Sequence, residues 1–316
     1  MCQGADVRTC GRYGDGSGGA RYGARRRPSA HSQGEAGRAR TRDGRELHYQ
    51  WLPGPAGADG RPTVVFEGGL AAGRSSWAGA QAGLAEVAPT VVYDRSGLGR
   101  SPAAPAGVSR RLDALAGDLG DLLDHLERVG PGGPFLLVGH SWGGPLVRLA
   151  AAAQPARVAG LVLADPTDES CDLLFRPSMR RTGRIGQLAT VALARLGLLG
   201  RAYRSLTAAL PPDAAADMRA EGYTVAMTRT RGRELEDTAG DLRALLENPP
   251  GLAGLPVTVV SAGRVSPGMP QSVRNRATAS HAYRARQSPH GRHVVLPEAD
   301  HMVLTTSTPT VRRWAS

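Results

Sequence analysis

One short stretch, residues 135–144, constrains the fold of this chain more than any other. It reads FLLVGHSWGG, an apolar run followed by a serine between glycines. The apolar run predicts a buried parallel strand, and residues 146–153 have the composition of a helix. Strand, serine turn and helix in this order are typical of a turn that holds the Ser141 hydroxyl clear of the backbone. Glycines suit such a turn because the strand and the helix pass close together there.

Strands and helices alternate along the chain on both sides of this stretch. Short apolar runs predict buried strands at residues 63–66, 90–93, 158–164, 257–260 and 293–296, and a hairpin with an Asp-Gly turn is predicted at residues 39–52. Residues 112–129 place leucines at three- and four-residue spacing, which predicts an amphipathic helix. This alternation implies βαβ units and a mostly parallel sheet with flanking helices, an α/β fold.

Two segments depart from the alternation. Residues 1–36 are rich in Gly, Arg and Ser and nearly free of aliphatic side chains, which predicts a disordered tail. Residues 167–250 carry no convincing strand, and helices are predicted there at residues 186–199, 203–209, 214–220 and 235–246. The sequence therefore predicts a core of residues 37–166 and 251–316, interrupted by a helical insertion of residues 167–250.

The sequence Gly-His-Ser-Trp-Gly-Gly at residues 139–144, in its strand–turn–helix context, resembles the nucleophile elbow of the serine hydrolases in the α/β-hydrolase family. The resemblance covers about residues 38–316. It implies an α/β-hydrolase fold in which the helical insertion is a cap that covers the carboxyl ends of the strands and shapes the substrate pocket. A chance match in a chain with 42 Gly is the alternative, and the flanking periodicities disfavour it.

A nucleophilic serine needs a base, and the resemblance implies a histidine after the last strand. His301 follows the predicted strand 293–296 in the sequence LPEADHM, where it is predicted to open a final helix. His140, beside Ser141, is expected to be structural, because neighbouring residues of a strand point to opposite faces.

The acid of the resemblance is less clearly placed. Most relatives carry an Asp in the loop after the strand that follows the cap, but here that loop reads SAGRVSPG and holds no carboxylate. A minority arrangement, resembling one branch of the haloalkane dehalogenases, places the acid after the strand next to the elbow. Asp165 at the tip of that strand is the first choice and Asp168 the second. The alternatives are a water or an unrecognised group, with Asp165 only capping the next turn.

Two backbone N–H groups are expected to bind the oxyanion. Trp142 lies at the start of the elbow helix, where its N–H faces the place at which an oxyanion forms. The loop after strand 63–66 reads EGGL, and alignment of its Gly69 with the His-Gly-X loop of relatives makes Leu70 the second donor. The loop DRSGLGRS, residues 94–101, resembles the family's D-R-x-G-x-G-x-S loop and is interpreted as a structural support. A phosphate cradle is disfavoured because the chain has no Lys.

The resemblance implies a cofactor-free serine hydrolase, with a small or medium carboxylic ester as the best generic substrate. A perhydrolase or cofactor-free haloperoxidase, a C–C hydrolase, and a non-catalytic ligand-binding protein on the same scaffold stay open. An epoxide hydrolase or a dehalogenase is disfavoured, because both use an Asp nucleophile where this chain has Ser141.

Charge and cysteine content bear on classes of protein other than hydrolases, such as nucleic-acid-binding, disulfide-rich and membrane proteins. The net charge is +11, but residues 1–45 hold ten Arg against four acidic residues and so account for +6 of it. The remaining residues carry only about +5, so no nucleic-acid partner is expected for the core, while nucleic-acid binding through the basic tail stays open. Three Cys without a C-x-x-C pair indicate neither a disulfide framework nor a zinc site. No apolar run approaches ~20 residues and no secretory leader is recognisable, so we expect no membrane partner and a cytoplasmic location. The sequence leaves the oligomeric state open.

Overall fold

A central sheet of eight strands organises the chain in a computed structural model that describes residues 31–58, 60–252, 254–266 and 269–302. The strands are β1 (Glu35–Arg40), β2 (Glu46–Leu52), β3 (Thr63–Glu67), β4 (Thr90–Tyr93), β5 (Phe135–His140), β6 (Val158–Ala164), β7 (Val257–Ala262) and β8 (Gly291–Leu296). Their spatial order is β1-β2-β4-β3-β5-β6-β7-β8. The first two pairings, β1 with β2 and β2 with β4, are antiparallel, and all others are parallel, which confirms the predicted α/β fold.

Ten α-helices surround or follow this sheet in the described residues. They are α1 (Ala78–Ala85), α2 (Leu112–Val129), α3 (Gly143–Ala153), α4 (Pro177–Arg195), α5 (Leu199–Ala202), α6 (Arg204–Ala208), α7 (Pro212–Glu221), α8 (Val225–Leu235), α9 (Thr238–Glu247) and α10 (Gln271–Arg286). None of the helices in the part of the chain that the structure describes is both long and apolar enough to cross a bilayer.

The core has two layers because side chains alternate between the faces of the sheet. Leu137 of β5 packs in a layer with the leucines of α2 and with α3. Its neighbour Val138 packs in the opposite layer, with Trp77 and the residues of α1. The apolar runs read from the sequence are therefore strands buried on both faces, as parallel strands usually are.

Helices α4 to α9 all lie between β6 and β7 in the chain, within the segment predicted as a helical insertion. Helix α4 begins at Pro177, earlier than predicted, with a proline in its first turn. Helix α8 was not predicted, because its buried residues are mostly polar: Met227, Thr228, Thr230 and Glu234. Apolar periodicity, the usual sign of a helix, is therefore missing from its sequence.

Arginines of the core pair with carboxylates of the insertion. The fully buried Arg74 pairs with Asp217 of α7 at 2.6 Å, and Arg95 pairs with Glu234 of α8 at 2.8 Å. Arg111 pairs with Asp241 of α9 at 3.1 Å. Pairs as buried as the first two hold the insertion in a defined place, because breaking one leaves an uncompensated buried charge.

The predicted tail and the predicted final helix both fall largely on residues outside the described ranges. The predicted tail falls largely on residues 1–30, outside the described residues, but β1 begins at Glu35, before the predicted start of the core. Ser32 already donates two hydrogen bonds to Asp213, and the side chain of the buried Gln33 donates to the Arg74 carbonyl at 2.9 Å. These polar contacts leave no apolar signal in the sequence. The helix predicted to open at His301 falls mostly on residues 303–316, also outside the described residues.

Candidate active site

Ser141 lies on a strained turn between β5 and α3. Its φ is 51°, a left-handed conformation that non-glycine residues rarely adopt. The Ser141 N–H donates to the Ala164 carbonyl at 3.2 Å, and the Ser141 carbonyl accepts from the N–H of Thr167 at 2.9 Å. Such strain costs about 1–3 kcal/mol and persists only where the surroundings enforce it. Here β6 and the loop that follows it fix the turn.

The two glycines that flank Ser141 in the motif are required by close backbone contacts. A Cβ atom at Gly139 would lie 2.4 Å from the carbonyl oxygen of Gly143. A Cβ atom at Gly143 would lie 2.6 Å from the carbonyl oxygen of Glu67, at the end of β3. Strand β5, helix α3 and the end of β3 therefore meet too closely for a side chain at either glycine position.

His301 is brought to Ser141 by the loop after β8. Its Nε2 lies 3.1 Å from the Ser141 Oγ. The backbone of His301 is held at both polar groups: its N–H donates to the Ser266 Oγ at 3.2 Å, and its carbonyl accepts from the His140 Nε2 at 2.7 Å. The two residues predicted as nucleophile and base therefore meet at hydrogen-bonding distance.

His140 has a structural place in this arrangement. Burial, with a smaller effect from the neighbouring His301, lowers the pKa of His140 to about 3. The ring is therefore neutral at ordinary pH. Because its Nε2 faces a carbonyl oxygen, we assign the proton to that nitrogen, which makes His140 the donor.

The acid chosen first from the sequence also reaches this cluster. The Asp165 Oδ2 lies 2.6 Å from the His301 Nδ1, and the Asp165 Oδ1 accepts from the backbone N–H of Ala262 at 3.0 Å. Burial raises the pKa of Asp165, but the hydrogen bond from His301 and then that from Arg274 outweigh burial, so the pKa lies well below its usual range. Asp165 is therefore an anion that fixes the proton of His301 on Nδ1.

Asp168, the second choice for the acid, lies in a different cluster. Its Oδ2 accepts from the Arg284 Nε at 2.7 Å, and its Oδ1 accepts from the N–H of Ser170 at 3.0 Å. Nearby, Arg148 and Glu169 form a buried pair at 2.7 Å. The structure therefore brings Asp165, and not Asp168, to His301.

The loop after β3, which carries the predicted oxyanion donor Leu70, is fixed by buried charges. Arg95 donates to the carbonyl oxygens of Gly68 at 2.9 Å and Gly69 at 2.8 Å, and the Ala71 N–H donates to Glu234 at 3.2 Å. Arg95 belongs to the loop of residues 94–101, which the sequence analysis interprets as a structural support. Its hydrogen bonds to Gly68 and Gly69 hold the loop after β3.

The N–H groups of the two predicted oxyanion donors have no hydrogen-bond acceptor among the described residues. Trp142 is the N-cap residue of α3. Within the described ranges, the backbone N–H groups of Leu70 and Trp142 donate to no other group.

Three residues around the site were not predicted from the sequence. Arg274 of α10 donates two hydrogen bonds to Asp165, Glu234 of α8 pairs with Arg95 and Arg110, and Glu67 accepts from Tyr93 and Arg95. One signal was available for Arg274: α10 contains arginines but no carboxylate, so their partners have to come from elsewhere. Among the residues that the structure describes, no three His, Cys, Asp or Glu side chains are placed to hold a metal ion.

Comparison with known proteins places the chain among hydrolases. A family model described as "alpha/beta hydrolase fold" matches residues 62–307. The chain is 44% identical to lipase LipV of Mycobacterium tuberculosis over 79 residues, which are 25% of this chain and 27% of that protein. It is 32% identical to the uncharacterized protein YqjL of Bacillus subtilis over 131 residues, 42% of this chain and 48% of that protein. The match therefore spans less than half the length of each of these relatives.

The fold is also that of a solved hydrolase. A thermophilic esterase from Thermogutta terrifontis superposes with a TM-score of 0.61 at 21% sequence identity. The superposition covers 89% of this chain and 98% of that one. At this identity the likeness bears on the fold alone.

Proposed function

Because this chain belongs to the α/β-hydrolase fold family, we propose that it is a serine hydrolase of small or medium carboxylic esters. Ser141 is the nucleophile, His301 the base and Asp165 the acid. The observation that carries the proposal is the continuous contact from the Ser141 Oγ to the His301 Nε2 at 3.1 Å and from the His301 Nδ1 to Asp165 at 2.6 Å. Such a chain of groups is what nucleophilic catalysis by serine requires.

In the first half of the reaction, the Ser141 Oγ forms a bond to the ester carbonyl carbon while the His301 Nε2 takes the hydroxyl proton. The tetrahedral intermediate then collapses, the bond to the alkoxy oxygen breaks, and His301 returns the proton to the leaving alcohol. In the second half, His301 takes a proton from water as the water oxygen bonds to the acyl carbon. The bond to the Ser141 Oγ then breaks, His301 returns the proton to this oxygen, and the carboxylic acid is released. Asp165 holds the tautomer and stabilises the imidazolium formed in each half.

The oxyanion is assigned to the N–H groups of Leu70 and Trp142. Trp142 directly follows Ser141 in the chain. Leu70 lies in the loop after β3, and the end of β3 lies against Gly143. One donor of this kind typically supplies about 3 kcal/mol of transition-state stabilisation. Backbone donors need no particular side chain, so Gly68, where relatives carry His, is compatible with the role.

The helical insertion is assigned the role of the cap. Leu193 and Ala194 of α4, Leu199 of α5 and Met227 of α8 pack with Leu98 of the core and with Ala71, next to the proposed donor Leu70. This contact supports a cap that covers the oxyanion loop and forms part of an acyl pocket. The proposed partner is a small acyl compound, without a cofactor, a nucleic acid or a membrane.

Steady-state hydrolysis of a panel of p-nitrophenyl esters of increasing acyl length tests this proposal. We expect hydrolysis by the wild type that is abolished in Ser141→Ala and His301→Ala. Ser205→Ala, at an exposed serine of α6, is the matched control and is expected to behave as the wild type. A folded wild type that hydrolyses no ester in the panel would contradict an esterase. The perhydrolase, C–C hydrolase and ligand-binding alternatives would then be tested with their own substrates.

A further inference from the structure

The carboxylate of Asp165 is held by a buried arginine as well as by His301. Arg274, on α10, donates from one terminal nitrogen to Oδ1 at 2.6 Å and from the other to Oδ2 at 2.9 Å. Arg274 is only 1% exposed. With the bonds from His301 and the Ala262 N–H, the carboxylate accepts four hydrogen bonds. A two-pronged arginine contact of this kind fixes both the position and the plane of a carboxylate.

Arg274 makes few other polar contacts with the described residues. Its other polar contact is with the Met269 sulfur at 3.0 Å, and its buried Nε has no partner among the described residues. Burying a guanidinium is costly unless it is paired, so the contact with Asp165 is what makes this position tolerable.

The other groups around Asp165 and His301 add no second permanent positive charge in the described residues. His281 of α10 lies 3.7 Å from Asp165, but burial lowers its pKa, and its Nε2 faces the Pro166 carbonyl. His140 is neutral because burial lowers its pKa. Asp300, next to His301, accepts from the N–H of Met302, and Ser266 binds the His301 backbone. Arg274 is therefore the charge that opposes Asp165.

The ion pair between Arg274 and Asp165 affects the protonation of the proposed base, His301. An isolated Asp165 would stabilise the imidazolium of His301 with a full negative charge. The ion pair with Arg274 offsets much of that charge while leaving the Oδ2 lone pair that accepts the Nδ1 proton. Opposite charges near an ionisable group typically shift its protonation by about 1–3 pH units, and removing a neutralising partner reverses part of such a shift.

We propose that Arg274 is a positioning residue that sets the pH range in which His301 acts as a base, by fixing Asp165 and offsetting its charge. The inference rests on the proposed function, because it assumes that Ser141 and His301 react. It adds Arg274 to the proposed group of Ser141, His301 and Asp165. Arg274 lies on α10, outside the motifs recognised in the sequence.

The test is the rate of labelling by a fluorophosphonate probe as a function of pH, measured on the full chain. For Arg274→Met, which removes the charge but keeps an extended side chain, we expect the acid limb of the profile to move to higher pH by about 1 unit. For Arg274→Lys, which keeps the charge but loses the two-pronged contact, we expect an unmoved limb and a lower plateau rate. Arg276→Met is the matched control: Arg276 is also on α10, but it is exposed and pairs with Asp172.

An acid limb that stays in place in Arg274→Met, with only a lower plateau, would overturn the proposal and leave Arg274 as a purely structural residue. An equal shift in Arg276→Met would assign the effect to general surface charge and would also overturn it. If Arg274→Met does not fold, Arg274→Gln, which removes the charge but keeps a polar side chain, takes its place with the same expected shift. In Arg274→Lys, a displaced limb with the charge retained contradicts the proposal. If the folded wild type does not label at any pH, the proposed function itself fails, which is a distinguishable result.

Discussion

Asp165 and His301 meet across an intervening strand. Asp165 directly follows β6 and His301 follows β8, and β7 lies between these strands in the sheet, yet the Asp165 Oδ2 is 2.6 Å from the His301 Nδ1. Strand β7 contributes a backbone donor in place of a carboxylate, the N–H of Ala262. Asp165 itself has a φ of 43°, so its backbone turns sharply at the strand end. The acid can therefore come from β6 although the loop after β7 has none.

The first prediction concerns the choice between the two aspartates. Asp165→Asn should lower the labelling rate by as much as ~10⁴-fold, because the amide can hold His301 in the wrong tautomer. Asp168→Asn is the matched variant: it removes a buried charge that pairs with Arg284, so it should lower thermal stability while labelling per folded molecule stays near that of the wild type. Equal loss of labelling in both variants would remove Asp165 from its proposed role.

The second prediction concerns the glycine that follows the turn. Gly143→Ala places a methyl group against the backbone carbonyls of Glu67 and Gly68, so we expect a loss of about 1–3 kcal/mol in the free energy of unfolding. Labelling should also fall, because the displaced loop carries Leu70. Gly117→Ala, in α2 with nothing near the added methyl group, should be stabilised by roughly 0.5–1 kcal/mol. Urea denaturation of both variants measures the contrast, and a harmless Gly143→Ala would contradict the close approach.

The third prediction concerns Glu234, the carboxylate of the insertion that contacts the loop after β3. Burial opposes the ionisation of Glu234, but its pKa lies below the usual range because Arg95 and Arg110 outweigh burial. Glu234→Gln leaves two buried arginines less well paired, so we expect a loss of about 3–5 kcal/mol in stability and slower labelling. Glu236→Gln, at an exposed position just beyond α8, is the control and should change neither quantity. Unchanged labelling in a folded Glu234→Gln protein would show that this contact of the insertion is not needed to position the oxyanion loop.

The fourth prediction is a pH dependence of stability. Burial, and then the charge of Arg74, lower the pKa of His48 to about 4, whereas an unfolded chain has a His pKa of about 6.5. Between these values the unfolded state binds the proton that the folded state excludes. The free energy of unfolding should therefore fall as the pH drops from about 6.5 to 4, by up to about 1.4 kcal/mol per pH unit from this residue.

Variants at His48 and at an exposed histidine isolate that contribution. His48→Asn should make the slope over this range shallower without removing it, because the buried His140 also has a lowered pKa. His290→Asn, at an exposed position, is the control substitution. Urea denaturation at several pH values between 4 and 7 provides the measurement. An equal slope in the wild type and His48→Asn would show that His48 is not buried in its neutral form.

The sequence predicted those parts of the structure that are encoded locally. The strand β5, its glycine-flanked turn and the helix α2 follow from apolar spacing and from glycine positions within a few residues of each other. The placement of Ser141 beside His301 followed from the order of motifs along the chain. The acid stayed open between Asp165 and Asp168 because both follow β6, and only the backbone turn at the strand end decides which side chain faces His301.

The remaining features depend on contacts between distant residues, for which the sequence holds no local pattern. Helix α8 buries threonines and a glutamate, so its periodicity is polar and was not recognised. Arg274 and Glu234 acquire their partners only when α10 and the insertion pack against the core. Gln33 joins the fold through amide hydrogen bonds rather than through apolar burial, which is why the start of the core was predicted too late.

The central claim, that Ser141 is the nucleophile activated by His301, is tested most directly by locating a covalent adduct. The wild type is treated with a fluorophosphonate, digested and analysed by mass spectrometry. We expect a single phosphonylated peptide, modified at Ser141, and no adduct in Ser141→Ala or His301→Ala at the same protein concentration. A folded wild type that carries no adduct, or one that is modified at another serine and still labels after Ser141→Ala, would contradict the claim.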